Sequence, residues 1–402
     1  MIHNPIKMKS KSPKLLHWLY TAGLLFFVIY DGLLSVLTLG YVLFGLFYYL
    51  IKSFYAIDRE PQLYFVTTPL SNHVIRNCKR LTQPFRPPYW ARNAHIQTIG
   101  AVFLRSKKVD FKREYLNLSD GGVLALDHGI SPTKSFAPSS PVLLLIPGIN
   151  GDSDSVTYIS GEAIARGFRP VVYNKRGFNG SHLATPKMLG VGDPADMDEV
   201  IQFLKRVYNP SDIVSVAYSA GSALLRCYIG KRGTASEISA AVCNSPGYKH
   251  KTLFNKLMQP YDYVMLKGYK EMLKKHQETL KKVIDVAAAF RTRRVIDFEE
   301  AVQGKISNCE DIDEYILYNE PDRCIQQSVT PFLCINSADD PVCLEELIPY
   351  EFFKQQPNAM LAVTAEGGHC AFMERGTWNR WADDVALDYI ESVLQLKSMK
   401  KA

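Results

Sequence analysis

The sequence predicts an α/β fold in which helices cover both faces of a mostly parallel β-sheet. Short, almost continuous apolar runs alternate along the chain with longer segments of helical periodicity. Strands that are apolar on both faces are typical of parallel sheets buried between helices. The 402 residues suffice for one large α/β domain with an insertion, or for two small domains. The content of 47% apolar and 22% charged residues excludes a disordered, collagen-like or coiled-coil chain.

The regular elements begin with a β-hairpin, in which Glu114–Leu118 and Val123–His128 flank the turn residues Asp120-Gly121-Gly122. The apolar runs then predict strands at Val142–Ile146, Pro170–Asn174, Ile213–Tyr218, Ala240–Asn244, Pro331–Asn336 and Ala359–Thr364. The helical patterns predict helices at Val156–Arg166, Pro194–Tyr208, Ala220–Lys231, Leu344–Phe353 and Trp378–Leu394. Together they predict a sheet whose strands are joined mostly by crossover helices.

A long insertion, at about 247–325, separates two of these strands. Its residues 252–302 are helical in composition and rich in lysine. The lysines indicate a solvated helix face or, as the alternative, a cap over a site that contacts a membrane surface.

The N-terminal region contains a long apolar segment, residues 15–51, whose one acidic or basic residue is Asp31. Gly32–Ile51 alone is long enough for a helix across a bilayer core of about 30 Å. A buried core helix rarely runs this long without a polar face, and a cleaved signal peptide has a shorter apolar run. We therefore expect a transmembrane signal anchor. The remainder, Leu15–Tyr30, would lie along the interface or form a second short span.

The charges around this segment predict its orientation. Four lysines precede it, whereas Lys52 and Arg59 follow it beside acidic residues, so the positive-inside rule places the N-terminus in the cytosol. This predicts a single-pass type II protein of the endoplasmic reticulum or plasma membrane, although a hairpin of two spans would reverse the orientation. Two glycosylation sequons, at Asn117 and Asn179, agree with a lumenal domain.

The net charge of +7 belongs to the two ends of the chain. Residues 1–14 and 397–402 carry four and three lysines without an acid, and the rest has 40 basic and 40 acidic residues. Nucleic-acid binding is therefore not indicated. We expect a basic tail (1–14), an anchor (15–51), a linker and N-terminal extension (52–113), the α/β domain (114–396) and a second basic tail (397–402). The eight cysteines show no C-x-x-C pair, which predicts mostly free, buried thiols and no metal site.

The first residue with a chemical signature is Ser219, which follows an apolar strand and precedes a helix. Ala217 and Gly221 are small residues two positions before and after it, which a sharp strand-to-helix turn requires. Such a turn presents a serine as a nucleophile, although serine at a helix start is more often an N-cap. The motif alone is therefore weak evidence.

Two further polar groups follow strands later in the chain. Asp339 and Asp340 come after the strand that ends at Asn336, and His369 lies in a glycine-rich loop after the strand that ends at Thr364. Serine, acid and histidine in this order, each after a strand, is the arrangement of α/β-hydrolase enzymes. The histidine would take the proton of Ser219 and the acid would orient the imidazole. Asp340 is preferred over Asp339.

An acyl-transfer site also needs donors for the oxyanion of its tetrahedral intermediate. We expect them to be the backbone N–H groups of Ala220, directly after the serine, and of Ile149. The second lies in the Pro147–Gly151 loop, whose glycines allow the backbone to approach the site. This loop lacks the two glycine-rich patterns that bind phosphates, the Gly-Lys-Ser/Thr ending and the G-x-G-x-x-G spacing.

These residues resemble the membrane-anchored α/β-hydrolase-domain proteins grouped as AB hydrolase family 4, whose animal members include phospholipases and monoacylglycerol lipases. The similar stretches are Trp90–Thr98, Pro147–Gly151, Tyr173–Phe178, Ser219–Gly221, Asp339–Pro341 and Gly367–His369, within about 85–395. The resemblance implies Ser219, Asp340 and His369 as the catalytic residues, an N-terminal signal anchor and glycerolipid or phospholipid esters as substrates. The chain differs from the family pattern at Ala217 and Ser222.

The sequence thus predicts a membrane-anchored serine hydrolase that cleaves lipid esters through an acyl-serine, without a metal or organic cofactor. Its expected partners are a lipid ester and the bilayer, and the sequence leaves the oligomeric state open. The alternative is a catalytically weak hydrolase fold that serves as a membrane receptor or scaffold.

Overall fold

The computed structural model describes residues 35–103, 109–131, 135–188, 190, 192–307, 309–377 and 379–400. The expected basic N-terminal tail and the stretch Leu15–Tyr30 lie outside these residues. The chain divides into two units, residues 1–57 and 58–402.

The first unit contains one long apolar helix, α1 (Ser35–Tyr55), within the segment expected to be an anchor. Its 21 residues extend about 32 Å at a rise of ~1.5 Å each, which matches a bilayer core. The large apolar side chains along it are exposed, Phe44 for example by 67%. Among the described residues, α1 is the one helix with the length and composition of a membrane span.

The second unit is built on one nine-stranded sheet with the strand order β1-β9-β8-β7-β6-β4-β5-β3-β2. The strands are β1 (Gln62–Phe65), β2 (Asp110–Asn117), β3 (Val123–Ile130), β4 (Val142–Ile146), β5 (Arg169–Asn174), β6 (Ile213–Tyr218), β7 (Ile238–Asn244), β8 (Phe332–Ser337) and β9 (Ala359–Thr364). The pairs β5–β4, β4–β6, β6–β7, β7–β8 and β8–β9 are parallel. The pairs β1–β9, β2–β3 and β3–β5 are antiparallel. The mostly parallel sheet is therefore confirmed.

The helices of this unit cover both faces of the sheet and form the insertion between β7 and β8. They are α2 (Pro69–Asn77), α3 (Ala94–Phe103), α4 (Thr157–Ala165), α5 (Ala195–Tyr208), α6 (Ala220–Arg232), α7 (His250–Lys256), α8 (Tyr261–Leu280), α9 (Val286–Arg291), α10 (Val295–Phe298), α11 (Ile312–Asn319), α12 (Pro321–Cys324), α13 (Tyr350–Phe353) and α14 (Trp381–Met399). A π-helix spans Glu299–Gly304, and short 3₁₀ helices span Lys79–Thr82, Tyr89–Ala91, Ser153–Val156, Gly233–Ala235, Ile325–Gln327 and Glu345–Leu347.

The core has one apolar layer on each face of the sheet. Alternate residues of the fully buried strand β6 show this, because Ile213 and Ala217 pack in one layer while Val214 and Val216 pack in the other. Burial on both faces explains why strands such as β4 and β6 are almost entirely apolar.

Three expectations differ from the structure. The segment 52–113, expected to be a linker and N-terminal extension, supplies β1 to the sheet edge, and α2 and α3 as well. The helix expected at Leu344–Phe353 is wrong, because Pro349 interrupts it and leaves a 3₁₀ turn and the four-residue α13. The last helix begins at Trp381 instead of residue 378 and continues to Met399.

The helical insertion between β7 and β8, hereafter the cap, comprises α7 to α12 and the π-helix. It has its own apolar cluster, in which Tyr269 and Phe298 stack with ring centroids 5.1 Å apart. The cap therefore packs as a small layer above the carboxyl ends of the strands, near Ser219.

Candidate active site

Ser219 occupies a strained turn between β6 and α6. Its backbone has φ +50° and ψ −120°, a region that residues other than glycine rarely adopt. The N–H of Ser219 donates to the carbonyl of Asn244 at 2.9 Å, which holds the turn against the neighbouring strand. Strain of this kind at one serine, supported by surrounding hydrogen bonds, is typical of a nucleophile turn.

Close backbone packing explains the small residues around this turn. A Cβ on Gly221 would lie 2.3 Å from the carbonyl oxygen of Ile146 and 2.6 Å from that of Pro147. Ala217 is fully buried and lies in register between Ile146 and Cys243. The methyl group of Ala217 is thus accommodated where the family pattern has glycine.

His369 brings the serine and an acid into one hydrogen-bonded row. Its Nε2 lies 2.8 Å from Ser219 Oγ, and its Nδ1 lies 2.9 Å from Asp340 Oδ2. The Asp340 side chain is fully buried and His369 is 12% exposed. The three sequence-predicted residues, 150 and 29 positions apart, therefore meet at the carboxyl edge of the sheet.

Asp340, and not Asp339, contacts the imidazole. The other oxygen of Asp340, Oδ1, accepts from the N–H groups of Val342 at 2.8 Å and Cys343 at 2.9 Å. These bonds fix the carboxylate plane and compensate for its burial.

A small apolar cavity of about 30 Å³ lies beside Ser219. Ile149 and Ala220 line it together with apolar cap residues, among them Phe254 and Met265. A larger surface groove of about 780 Å³ lies along α14, and neither Ser219 nor His369 lines it.

Comparison with known proteins agrees with this architecture. A family model described as the alpha/beta hydrolase fold matches residues 141–299. The chain is 30% identical over 321 residues to Protein ABHD15 of Homo sapiens, an alignment that covers 77% of this chain and 69% of the relative. The chain belongs to the ABHD family of α/β hydrolases.

Two further relatives align over most of their length. Phospholipase ABHD3 of Bos taurus is 28% identical over 357 residues, covering 85% of this chain and 86% of the relative. Monoacylglycerol lipase ABHD2 of Mus musculus is 24% identical over 372 residues, covering 85% and 87%. The resemblance to the α/β-hydrolase-domain family is therefore confirmed.

In this ABHD chain the electrostatic state of His369 depends on Asp340. Burial opposes the charged imidazolium, but the charge of Asp340 and its hydrogen bond outweigh burial and raise the pKa of His369 well above its usual value. An imidazolium that forms at this position is therefore stabilised.

Asp339 supports the histidine loop from the opposite side. Its Oδ1 accepts from the Ser337 hydroxyl and, at 3.0 Å, from the N–H of Gly368. Burial raises the pKa of Asp339, against the effect of these two hydrogen bonds. Asp339 thus holds the backbone next to His369 without contacting the imidazole.

Sequence reasoning missed two groups that position this loop. Thr98 Oγ1 accepts from the N–H of His369 at 2.9 Å, and Ser245 Oγ accepts from the N–H of Cys370 at 2.9 Å. Thr98 lies in the stretch that carries the family resemblance, which was the one available signal. His95 in the same stretch contacts the cap, with Nδ1 2.8 Å from the hydroxyl of Tyr261.

The residues around His369 do not suit a metal ion. Asp340, Cys343 and His369 have donor atoms within 4.8 Å of one another. Burial raises the pKa of the Cys343 thiol to about 11, whereas a metal ligand must be a thiolate. Asp340 and His369 already use their facing atoms for each other. All eight cysteines are free, and five of them are buried, as the sequence predicts.

Proposed function

We propose that this ABHD protein is a serine hydrolase that cleaves carboxylic esters of lipids, either phospholipids or acylglycerols, through an acyl-serine intermediate. The observation that carries the proposal is the continuous row Ser219–His369–Asp340, with contacts of 2.8 and 2.9 Å. The names of relatives, a phospholipase and a monoacylglycerol lipase, favour lipid esters as the substrate class.

In the proposed reaction, Ser219 Oγ attacks the ester carbonyl while His369 Nε2 takes its proton. Asp340 holds Nδ1–H and stabilises the imidazolium that forms. We expect the oxyanion to accept hydrogen bonds from the backbone N–H groups of Ala220 and Ile149. Both residues line the cavity beside Ser219. His369 then donates its proton to the leaving alcohol, and a water activated by His369 releases the fatty acid.

The apolar lining of the cavity supports an acyl chain as the group held next to Ser219. Leu253, Phe254 and Leu257 of α7 and its end, with Met265 of α8, contribute apolar side chains there. Since the cavity of about 30 Å³ is far smaller than a ligand pocket of roughly 300 Å³ or more, cap side chains must move aside for a lipid to enter.

The apolar helix α1 supports attachment to a membrane, and we propose a type II signal anchor in the endoplasmic reticulum or plasma membrane. Attachment would keep the site near a surface where water-insoluble esters are concentrated. The anchor at 15–51 is part of the same proposal. The hydrolase domain expected at 114–396 and the basic tail expected at 397–402 are proposed with adjusted bounds, because β1, α2 and α3 belong to the same unit and α14 continues to Met399.

The decisive experiment is hydrolysis of a panel of phospholipids and monoacylglycerols by the purified full-length protein. Ser219→Ala should abolish hydrolysis and leave expression intact. Ser222→Ala is the matched control. It also removes a serine hydroxyl, three residues further on, but that hydroxyl donates to the backbone carbonyl of Ala217 at 2.9 Å. Retention of most activity in Ser219→Ala would end the assignment of Ser219, and absence of hydrolysis by the folded, unaltered protein would favour the scaffold alternative.

A further inference from the structure

Helix α3 forms a wall directly against the loop of His369. Beyond the contact between Thr98 and the His369 backbone, the Gln97 side chain accepts from the N–H of Met373 at 3.0 Å. A Cβ on Gly368 would lie 2.6 Å from the carbonyl oxygen of Ala94. The inner side of α3 is therefore tightly fitted to the loop that carries the imidazole.

The opposite side of α3 is apolar and exposed. Ile96, Ile99 and Val102 are exposed by 39%, 49% and 61%, and their spacing of three residues places them on one side of the helix. Trp90, which is 42% exposed, lies over the same helix, since a Cβ on Gly100 would be 3.7 Å from its ring. Soluble proteins rarely leave a contiguous row of large apolar side chains in water, so such a row indicates a surface that a partner or a membrane covers.

The start of α3 contacts the cap. The rings of His95 and Tyr261 stack with centroids 5.8 Å apart, which joins the start of α3 to the start of α8. We call Trp90, Ile96, Ile99 and Val102 the α3 surface.

Two properties of the chain indicate what covers this surface. Only residues 56–61 separate the end of α1 from β1, and such a segment spans at most about 25 Å. In addition, Asp58 of this segment pairs with Arg92, two residues before α3, so the start of α3 lies beside this segment. Exposed apolar side chains along one side of a helix are the composition of helices that lie in a bilayer surface.

We propose that the α3 surface rests on the lipid bilayer, with its apolar side chains inserted at the level of the acyl chains. Helix α3 then lies between the membrane and the loop of His369, and the site is held at the surface from which lipid esters enter. This inference rests on the proposed function for its purpose, but the contact with lipid can be measured independently of any reaction.

The first test measures the water exposure of one residue in the full-length protein. Ile99→Cys and Val207→Cys are reconstituted in vesicles of phosphatidylcholine with phosphatidylserine and treated with N-ethylmaleimide, and each site is quantified by peptide mass spectrometry. Val207 is the matched control, because it is also 49% exposed but lies on α5. Modification requires a thiolate in water, so position 99 should react at least about tenfold more slowly than position 207. Equal rates would overturn the proposal and leave a protein partner as the occupant.

The second test separates this inference from the proposed function. Ile99→Asp should reduce hydrolysis of lipid esters in vesicles by about tenfold or more, through a higher KM, because a charge must leave water to insert. Hydrolysis of a short water-soluble ester should not change, and Val207→Asp should change neither rate. Equal loss on both substrates, or no loss on vesicles, would contradict membrane docking. Absence of all hydrolysis in the unaltered protein would instead contradict the proposed function, while the labelling experiment would still decide the docking.

Discussion

Replacing Asp340 with asparagine tests how the candidate active site uses its buried charge. The substitution keeps the size of the side chain. Oδ1 of Asp340 accepts from two backbone N–H groups, so the amide oxygen of an asparagine would take that place. The amide NH₂ would then face His369 Nδ1, where Oδ2 lies 2.9 Å away in the unaltered protein.

A donor at this position reverses the tautomer of the imidazole. Nδ1 would have to accept, so Nε2 would carry the proton and could no longer take one from Ser219 at 2.8 Å. The wrong tautomer in such a site lowers kcat by roughly 10³ to 10⁴-fold, which corresponds to about 4 to 5.5 kcal/mol of transition-state stabilisation.

Asp339→Asn is the matched control. Its oxygen can continue to accept from Ser337 and from the N–H of Gly368, and it does not contact the imidazole. We expect a loss of about tenfold or less, since hydrogen bonds to a neutral acceptor are about half as strong as those to a carboxylate.

The assay is kcat and KM for a water-soluble ester in detergent, with a thermal unfolding curve for each variant. A larger loss for Asp339→Asn than for Asp340→Asn, with both proteins folded, would refute the assignment and shift the role of the acid to Asp339.

Two further predictions follow from the geometry. His369 must be neutral to accept a proton, and Asp340 raises the pKa of His369. We therefore expect kcat/KM to be low in acid and to rise with pH through an apparent pKa above 6.5. An inflection below that value would contradict the ion pair between His369 and Asp340. Gly221→Ala should abolish hydrolysis and lower the melting temperature, because its methyl group would meet two backbone carbonyls at 2.3 and 2.6 Å. The control Gly304→Ala, whose methyl group would have its nearest atom at 3.8 Å, should leave hydrolysis and the melting temperature nearly unchanged. Similar melting temperatures for the two variants would show that the turn at Ser219 has more room than the structure indicates.

The central strands could be predicted from the sequence because burial on both faces requires apolar side chains at every position. Strand β6 has the predicted bounds, Ile213–Tyr218, for this reason. Strand β1 was missed because it is only four residues long, and its conformation depends on antiparallel pairing with β9 almost 300 residues later. The interruption at Pro349 was visible in the sequence but was outweighed by the surrounding apolar residues.

The candidate site likewise has a part that could be predicted from the sequence and a part that could not. Ser219, Asp340 and His369 each follow a strand, so their meeting at one edge of the sheet follows from topology. The support from Thr98 depends on a contact across 271 residues, and the small cavity beside Ser219 depends on how the cap packs. Such tertiary contacts leave no local pattern in a single sequence.

The most direct measurement of the central claim is the position of a fluorophosphonate adduct, because this reagent forms a stable bond with a serine whose proton is removed by a neighbouring base. Peptide mass spectrometry of the labelled full-length protein should locate the adduct on Ser219, and the rate of labelling should fall sharply in Asp340→Asn. Folded protein that remains unlabelled, or that carries the adduct on another serine, would contradict the proposal that His369 activates Ser219.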